Sequence, residues 1–269
     1  MTASAGKTNP VIFIHGLWIH SSAWEPWITL FAEHGYTATA PGWPGDGATV
    51  QETRDDPDSL NEVGIEQICR HYADLIGTPD VKPIVIGHSF GGLIAQELLA
   101  NDCAAAAIAI DPAPIKGVKA LPFSQLKSAF PVLSNPGNKK KTVALTAKQF
   151  RYSFGNALAE EESDELFEKW TIPGPGLPLF EDATANFRKN SPAAVDTHKA
   201  DRGPLLLTSG TEDHTVPAKV TKEVFAKYAD SGSITEYQEF DGRGHSLTMD
   251  SGWKDVADAT LTWLSDKGF

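Results

Sequence analysis

The amino-acid sequence predicts an α/β fold: a doubly wound, mainly parallel sheet flanked by helices. Three observations predict it. Short continuous apolar runs recur along the chain, bounded by Gly, Pro or polar residues, as strands buried on both faces require. Helical patterns separate these runs, and right-handed βαβ crossovers are the usual way to join parallel neighbours. The 269 residues, 41% hydrophobic and 22% charged, suffice for a sizeable core and lie far from the composition of disordered chains.

The elements follow in order. Val11 to Ile14, between Pro10 and Gly16, reads as a central strand. A helix over 23–34 has Ser22 and Glu25 in capping-box spacing and stops at Gly35. The second strand is 36–40; the turn-rich 41–47 and a polar loop then lead into a helix over 61–76 that ends at Gly77. A third strand over 83–87, a helix over 91–100 and a fourth strand over 104–110 complete the first half. After Asp111 the rhythm breaks. From 112 to 203 there is no strand pattern, only helical patches at 123–130, 146–158, 160–170 and 179–188 joined by Pro/Gly loops such as 173–178. This segment is expected to be an inserted helical lid, with 1–111 and 204–269 forming the core. The last strands are 204–209 and 233–240, each followed by a helix, at 217–228 and 253–264.

Charge and cysteine content narrow the function. Lys+Arg 23 against Asp+Glu 35 gives a net charge of −12, a field that repels phosphate backbones and anionic headgroups, so neither nucleic acid nor membrane is an expected partner. Cys69 and Cys103 form no CxxC and are too few for a disulfide framework, which fits a reducing compartment. No apolar signal-like segment opens the chain and no run approaches a membrane span, so a cytoplasmic location is expected. Nothing here reads on oligomeric state.

The chemistry is concentrated in a few residues. Gly87-His-Ser-Phe-Gly91 matches G-x-S-x-G, weak as a bare pattern but placed where a strand gives way to a helix. Such a turn needs glycine on both sides and lifts the Ser89 hydroxyl out of the sheet, with the amides of the following helix aimed at developing negative charge. A hydroxyl near its normal pKa needs a base held in one tautomer by an acid. His245, between glycine and serine just after the last strand, is the candidate base. Asp213, after the 204–209 strand, is the candidate acid, and Asp111, after the preceding strand, is its rival. The Phe90 amide and an amide of the His15-Gly-Leu-Trp18 turn, Leu17 being favoured, supply two oxyanion donors. Gly16 lets that turn approach without a Cβ in the way. Trp18 and His88, with Phe154 and Trp170 of the insertion, are the candidate pocket residues.

With these residues assembled, the chain resembles the α/β-hydrolase superfamily, in its branch with a single lid. The resemblance spans Val11 to Leu264 and rests on His15-Gly16, Gly87-His-Ser-Phe-Gly-Gly92, Gly210-x-x-Asp213-x-x-Val-Pro217 and Gly244-His245. It implies an α/β-hydrolase fold with a six-stranded core, since only ten residues precede the first strand. It further implies acyl-enzyme hydrolysis by Ser89, His245 and Asp213, with no metal or organic cofactor. Relatives that open epoxides or displace halide carry Asp at the nucleophile position, so Ser89 speaks against those activities. What remains is a carboxylesterase or lactonase acting on a moderately hydrophobic small molecule, a thioesterase, a perhydrolase, a carbon–carbon bond hydrolase, or a ligand receptor with negligible turnover.

Overall fold

The computed structural model describes residues 9–269. Six strands form one sheet: β1 (Val11–Ile14), β2 (Ala38–Thr39), β3 (Ile84–His88), β4 (Ala106–Ile110), β7 (Leu205–Gly210) and β8 (Thr235–Phe240). Their order is β2-β1-β3-β4-β7-β8, and every ladder is parallel. Period 2 along each strand sends alternate residues to two separate cores. Val11, Phe13, Ile84, Ile86 and Ile108 pack with α1 (Glu25–Glu33) and α10 (Trp253–Asp266), whereas Ile14, Val85, Ala107 and Ala109 pack with α3 (Ile65–Ile76), α4 (Phe90–Ala100) and α9 (Ala218–Ala226). β3 and β4 are buried throughout, which explains their unbroken apolar runs. The edge strand β8, Thr-Glu-Tyr-Gln-Glu-Phe, is polar because one side has no neighbour to pair with.

The strand order places the reversal between β1 and β3. From β1 the chain steps outward to β2, returns to β3 on the other side of β1, and then proceeds through β4, β7 and β8. In doubly wound sheets this is where a crevice opens at the carboxyl ends of the strands. Here the crevice is flanked by the 15–18 turn and by Ser89.

Between β4 and β7 lie α5 (Phe123–Leu133), α6 (Ala147–Ser153), α7 (Glu160–Trp170) and α8 (Leu177–Ala183). Contrary to the strand-free expectation, two short strands, β5 (Thr142–Val143) and β6 (Gly174–Pro175), pair antiparallel there. They form because the 173–178 loop is pinned to the core. The Ile172 amide donates to the Trp18 carbonyl at 2.9 Å, the His20 amide to the Trp170 carbonyl at 2.9 Å, and the Trp18 indole to the Val143 carbonyl at 2.9 Å. A Cβ on Gly174 would lie 2.7 Å from Leu17 Cδ1, so any larger residue there would have to displace the Leu17 side chain.

Other boundaries move for local reasons. Ser22 does not cap α1. Instead 21–24 forms a 3₁₀ turn whose Ser22 amide donates to the His20 ring at 3.2 Å, and α1 begins at Glu25 with Pro26 in its first turn. The polar loop contains α2 (Val50–Asp55), capped by the Thr49 hydroxyl, with the Glu52 carboxylate accepting from Ala48 at 2.8 Å. α3 starts only at Ile65, β2 keeps two residues, and α6 stops at Ser153. Among the described residues no helix is long and apolar enough to cross a membrane.

The aromatic cluster under β1 offers a test of the core. Phe13 stacks on Trp24 at 4.8 Å and meets Phe31 edge-on at 5.2 Å. Phe13→Ala should cost about 3–5 kcal/mol in urea unfolding; a loss below about 1 kcal/mol would contradict this packing.

Candidate active site

The turn at Ser89 is built from close backbone contacts. β3 ends at His88 and α4 begins at Phe90, leaving Ser89 alone between them at φ 57° and ψ −121°. A Cβ on Gly87 would fall 1.9 Å from the Gly91 carbonyl oxygen, and one on Gly91 would fall 2.2 Å from that of Ile14. Both glycines of the motif are therefore steric necessities. The backbone holds Ser89 from two sides: its amide donates to Ile110 at 3.0 Å, and its carbonyl accepts from Gly92 and Ala113, each at 2.9 Å.

The 15–18 turn presses against this elbow, since a Cβ on Gly16 would meet Ser89 Cβ at 2.6 Å. The amides of Leu17, next to Gly16, and of Phe90, next to Ser89, donate to no acceptor among the described residues. Trp18 takes φ 70° to complete the turn. His15 has a packing environment of its own, stacked on Trp43 at 4.9 Å with Nε2 2.9 Å from Asp46 Oδ2.

His245 and Asp213 meet as the sequence order suggests. His245 Nδ1 donates to Asp213 Oδ2 at 2.6 Å, and both side chains are fully buried. Asp213 Oδ1 in turn accepts from the amides of Thr215 at 2.6 Å and Val216 at 2.8 Å, which fixes the carboxylate. The other ring nitrogen, Nε2, is buried without a hydrogen-bond partner. The His245 ring lies 4.6 Å from that of His88, the residue preceding the serine, and 4.9 Å from Phe154. Burial, and then the neighbouring His245, push His88 well below its ordinary pKa, leaving it neutral.

The rival acid is present too, in a different role. Asp111, at φ 42°, accepts from the Gly210 amide at 2.8 Å through Oδ1, while Oδ2 stands 3.9 Å from His245 Nδ1. Burial, and then the charge of Asp213, raise Asp111 well above the usual carboxylate range. Burial would also raise Asp213, but the facing His245 and the Val216 amide hold it low. Within the pair these surroundings favour the proton on Asp111 and the charge on Asp213. Among the described residues, the group whose ligand atoms lie within 4.8 Å of one another as a metal would need is His88, Asp111 and His245.

A cavity of about 670 Å³ opens beside the elbow, lined mostly by apolar side chains together with Ser89 and Phe90. Of the expected pocket residues it includes Trp18 but not His88, Phe154 or Trp170. His88 is turned beneath the elbow against His245; Phe154 stacks on Phe150 at 5.0 Å; Trp170 is buried where α7 joins the 18–20 segment. The wall is formed instead by residues such as Ile115, Val118, Leu126 and Val216, and by Asp182 and Gln125. No motif marks these positions in the sequence.

A family model described as alpha/beta hydrolase family matches residues 11–259. The chain belongs to the alpha/beta hydrolase family. Comparison with curated proteins gives no match. Among solved structures, this alpha/beta hydrolase is similar to an extracellular alpha/beta-hydrolase from a Paenibacillus species, described as sharing structural and functional homology with tobacco salicylic acid binding protein 2. The identity is 23% over 94% of this chain and 98% of that one, with a TM-score of 0.71. It is also similar to a monoacylglycerol lipase from Paleococcus ferrophilus, at 22% identity over 97% and 96% of the two chains and a TM-score of 0.65. A thermophilic esterase from Thermogutta terrifontis shares 16% identity over 98% and 92%, with a TM-score of 0.65. At these identities the likeness carries the alpha/beta hydrolase fold alone.

The carboxyl pair makes stability depend on pH. Between the ordinary carboxylate pKa and the raised value, folded Asp111 holds a proton that the unfolded chain releases, so its cost to stability grows as pH rises through that window. Asp213 has the opposite sign: its contribution is present above the unfolded value and is lost as pH falls through the folded one. Asp111→Asn removes the first cost while an amide still accepts from Gly210. Relative to wild type, its unfolding free energy should improve as pH rises above the ordinary carboxylate range; a gap independent of pH would mean Asp111 is ionised in the fold.

Proposed function

We propose that this alpha/beta hydrolase is a serine esterase or lactonase that cleaves a moderately hydrophobic small molecule through an acyl-enzyme. The observation that carries the reading is the state of His245, with Nδ1 committed to Asp213 and Nε2 buried and unpartnered. A base for a serine needs that arrangement: one nitrogen fixed so that the tautomer is set, the other free to take a proton. Ser89 attacks the carbonyl as His245 Nε2 accepts its proton, and Asp213 stabilises the resulting imidazolium. The Leu17 and Phe90 amides hold the oxyanion. His245 then returns the proton to the leaving oxygen, and a water activated by the same nitrogen releases the acid.

The mostly apolar cavity beside Ser89 supports a hydrophobic acyl or alcohol part. In this reading residues 112–203 act as a lid over the core formed by 1–111 and 204–269, excluding water from the reacting carbonyl. The reaction needs no metal or organic cofactor, since the proton transfers and charge stabilisation all fall to protein groups. The free thiols of Cys69 and Cys103 fit a reducing, cytoplasmic setting.

A fluorophosphonate should label the protein stoichiometrically, and short p-nitrophenyl esters should turn over; Ser89→Ala should abolish labelling and lower kcat/KM by several orders of magnitude. Slow labelling without turnover would favour a ligand receptor. Turnover of thioesters or vinylogous diketones in preference to every oxygen ester would favour a thioesterase or a carbon–carbon bond hydrolase on the same residues. Asp213→Asn should lower kcat/KM by about 10³–10⁴, because the histidine loses its charged partner and its fixed tautomer. Asp111→Asn should cost less than about tenfold. The reverse ranking would move the acid to Asp111.

A further inference from the structure

Asp182 stands near the end of α8 on the wall of the cavity that holds Ser89. Its neighbours along the chain have structural duties. Glu181 accepts from the Ile65 amide at 2.8 Å, Thr184 donates to the Phe180 carbonyl at 2.7 Å, and Asn186 bridges Gly117 and Val118. Asp182 has none: among the described residues its carboxyl has no hydrogen-bond donor and no ion-pair partner. Burial alone pushes it up to about 8, with no cation offsetting the shift. Lys116, on the same wall, is turned away to the Lys189 carbonyl at 2.7 Å. Gln125 of α5, which lines the same cavity, presents a buried, unpartnered oxygen, Oε1. A carboxyl left without a partner among apolar side chains costs stability that Leu or Ala would spare at the same position.

We propose that Asp182 is the specificity-determining residue of this site, receiving a hydrogen-bond-donating group, a hydroxyl or an amine, carried on the otherwise apolar body of the substrate. The proposal rests on the serine-hydrolase reading only in taking the ligand to be an ester or lactone. Its physical content is that a bound donor group satisfies the carboxyl that the protein leaves unpaired. A bound substrate lacking the donor would cover the half-buried Asp182 carboxyl without satisfying it, which is how polar sites reject apolar analogues more strongly than apolar sites reject polar ones. Gln125 Oε1 is a second acceptor for the same kind of group.

The test uses matched p-nitrophenyl esters of graded chain length, ending in methyl, hydroxyl or amine, with wild type, Asp182→Leu and the near-isosteric Asp182→Asn. At the best-fitting length, wild type should favour the hydroxyl or amine ester over its methyl parent by at least about tenfold in kcat/KM. Asp182→Leu should bring that ratio to about unity or invert it. Asp182→Asn should keep a preference for hydroxyl and lose any for amine, which tells the two donors apart. A merely structural Asp182 would lower all three esters together and leave the ratios unchanged, and that result overturns the proposal. The same ligand series titrated into Ser89→Ala by calorimetry reads the preference as binding. If no ester is turned over, the hydrolase reading fails while this ratio still decides the role of Asp182; equal affinities for methyl, hydroxyl and amine ligands would overturn it.

Discussion

The site depends on how closely three stretches of backbone approach one another at the β1–β3 reversal. Gly91 lies against the Ile14 carbonyl, Gly87 against the Gly91 carbonyl, and Gly16 against the Ser89 side chain, all at separations no Cβ would tolerate. That crowding leaves Ser89 the one position between strand and helix, and its φ of 57° follows from the path rather than from any preference of serine. The same closeness brings the turn that carries the Leu17 amide against it, and the Phe90 amide follows it in the chain. Sheet topology supplies the place, and glycine supplies the approach.

Electrostatics complete the arrangement at the carboxyl ends of β4 and β7. Two carboxyls end neighbouring strands, and the interior cannot keep both charged, so one holds the proton. The one that stays ionised has two backbone amides and the histidine for partners; the other has one amide. Difference in hydrogen bonding, not in burial, therefore selects the acid. His88, kept neutral against His245, adds no competing charge.

Much of this was legible in the sequence because the sheet is buried on both faces. Runs such as Val-Ile-Phe-Ile and Ile-Val-Ile have no reading but strand, and Gly87-x-Ser-x-Gly91 at the end of one marks the elbow. Both Asp111 and Asp213 follow strands, and the sequence order Ser89, Asp213, His245 favoured Asp213; in the fold Asp213 stands 2.6 Å from the imidazole and Asp111 3.9 Å. The helix after Thr49 was signalled by Thr49 and Glu52 in capping-box spacing, hidden within a stretch that looks like loop. The cavity wall was not legible at all. Phe154 and Trp170 are aromatic because they pack the 112–203 segment onto the core, while the residues that line the space, Ile115, Val118 and Asp182, owe their positions to how that segment folds back.

The convergence of serine, imidazole, carboxylate and two amides is tested most directly by a crystal structure of the fluorophosphonate adduct. The account predicts phosphorus bonded to Ser89 Oγ, its oxygen within hydrogen-bond reach of the Leu17 and Phe90 amides, and His245 Nε2 facing the phosphonyl group while Nδ1 stays on Asp213. An adduct on another residue, or one on Ser89 with its oxygen turned to solvent and His245 unmoved behind a packed wall, would contradict it.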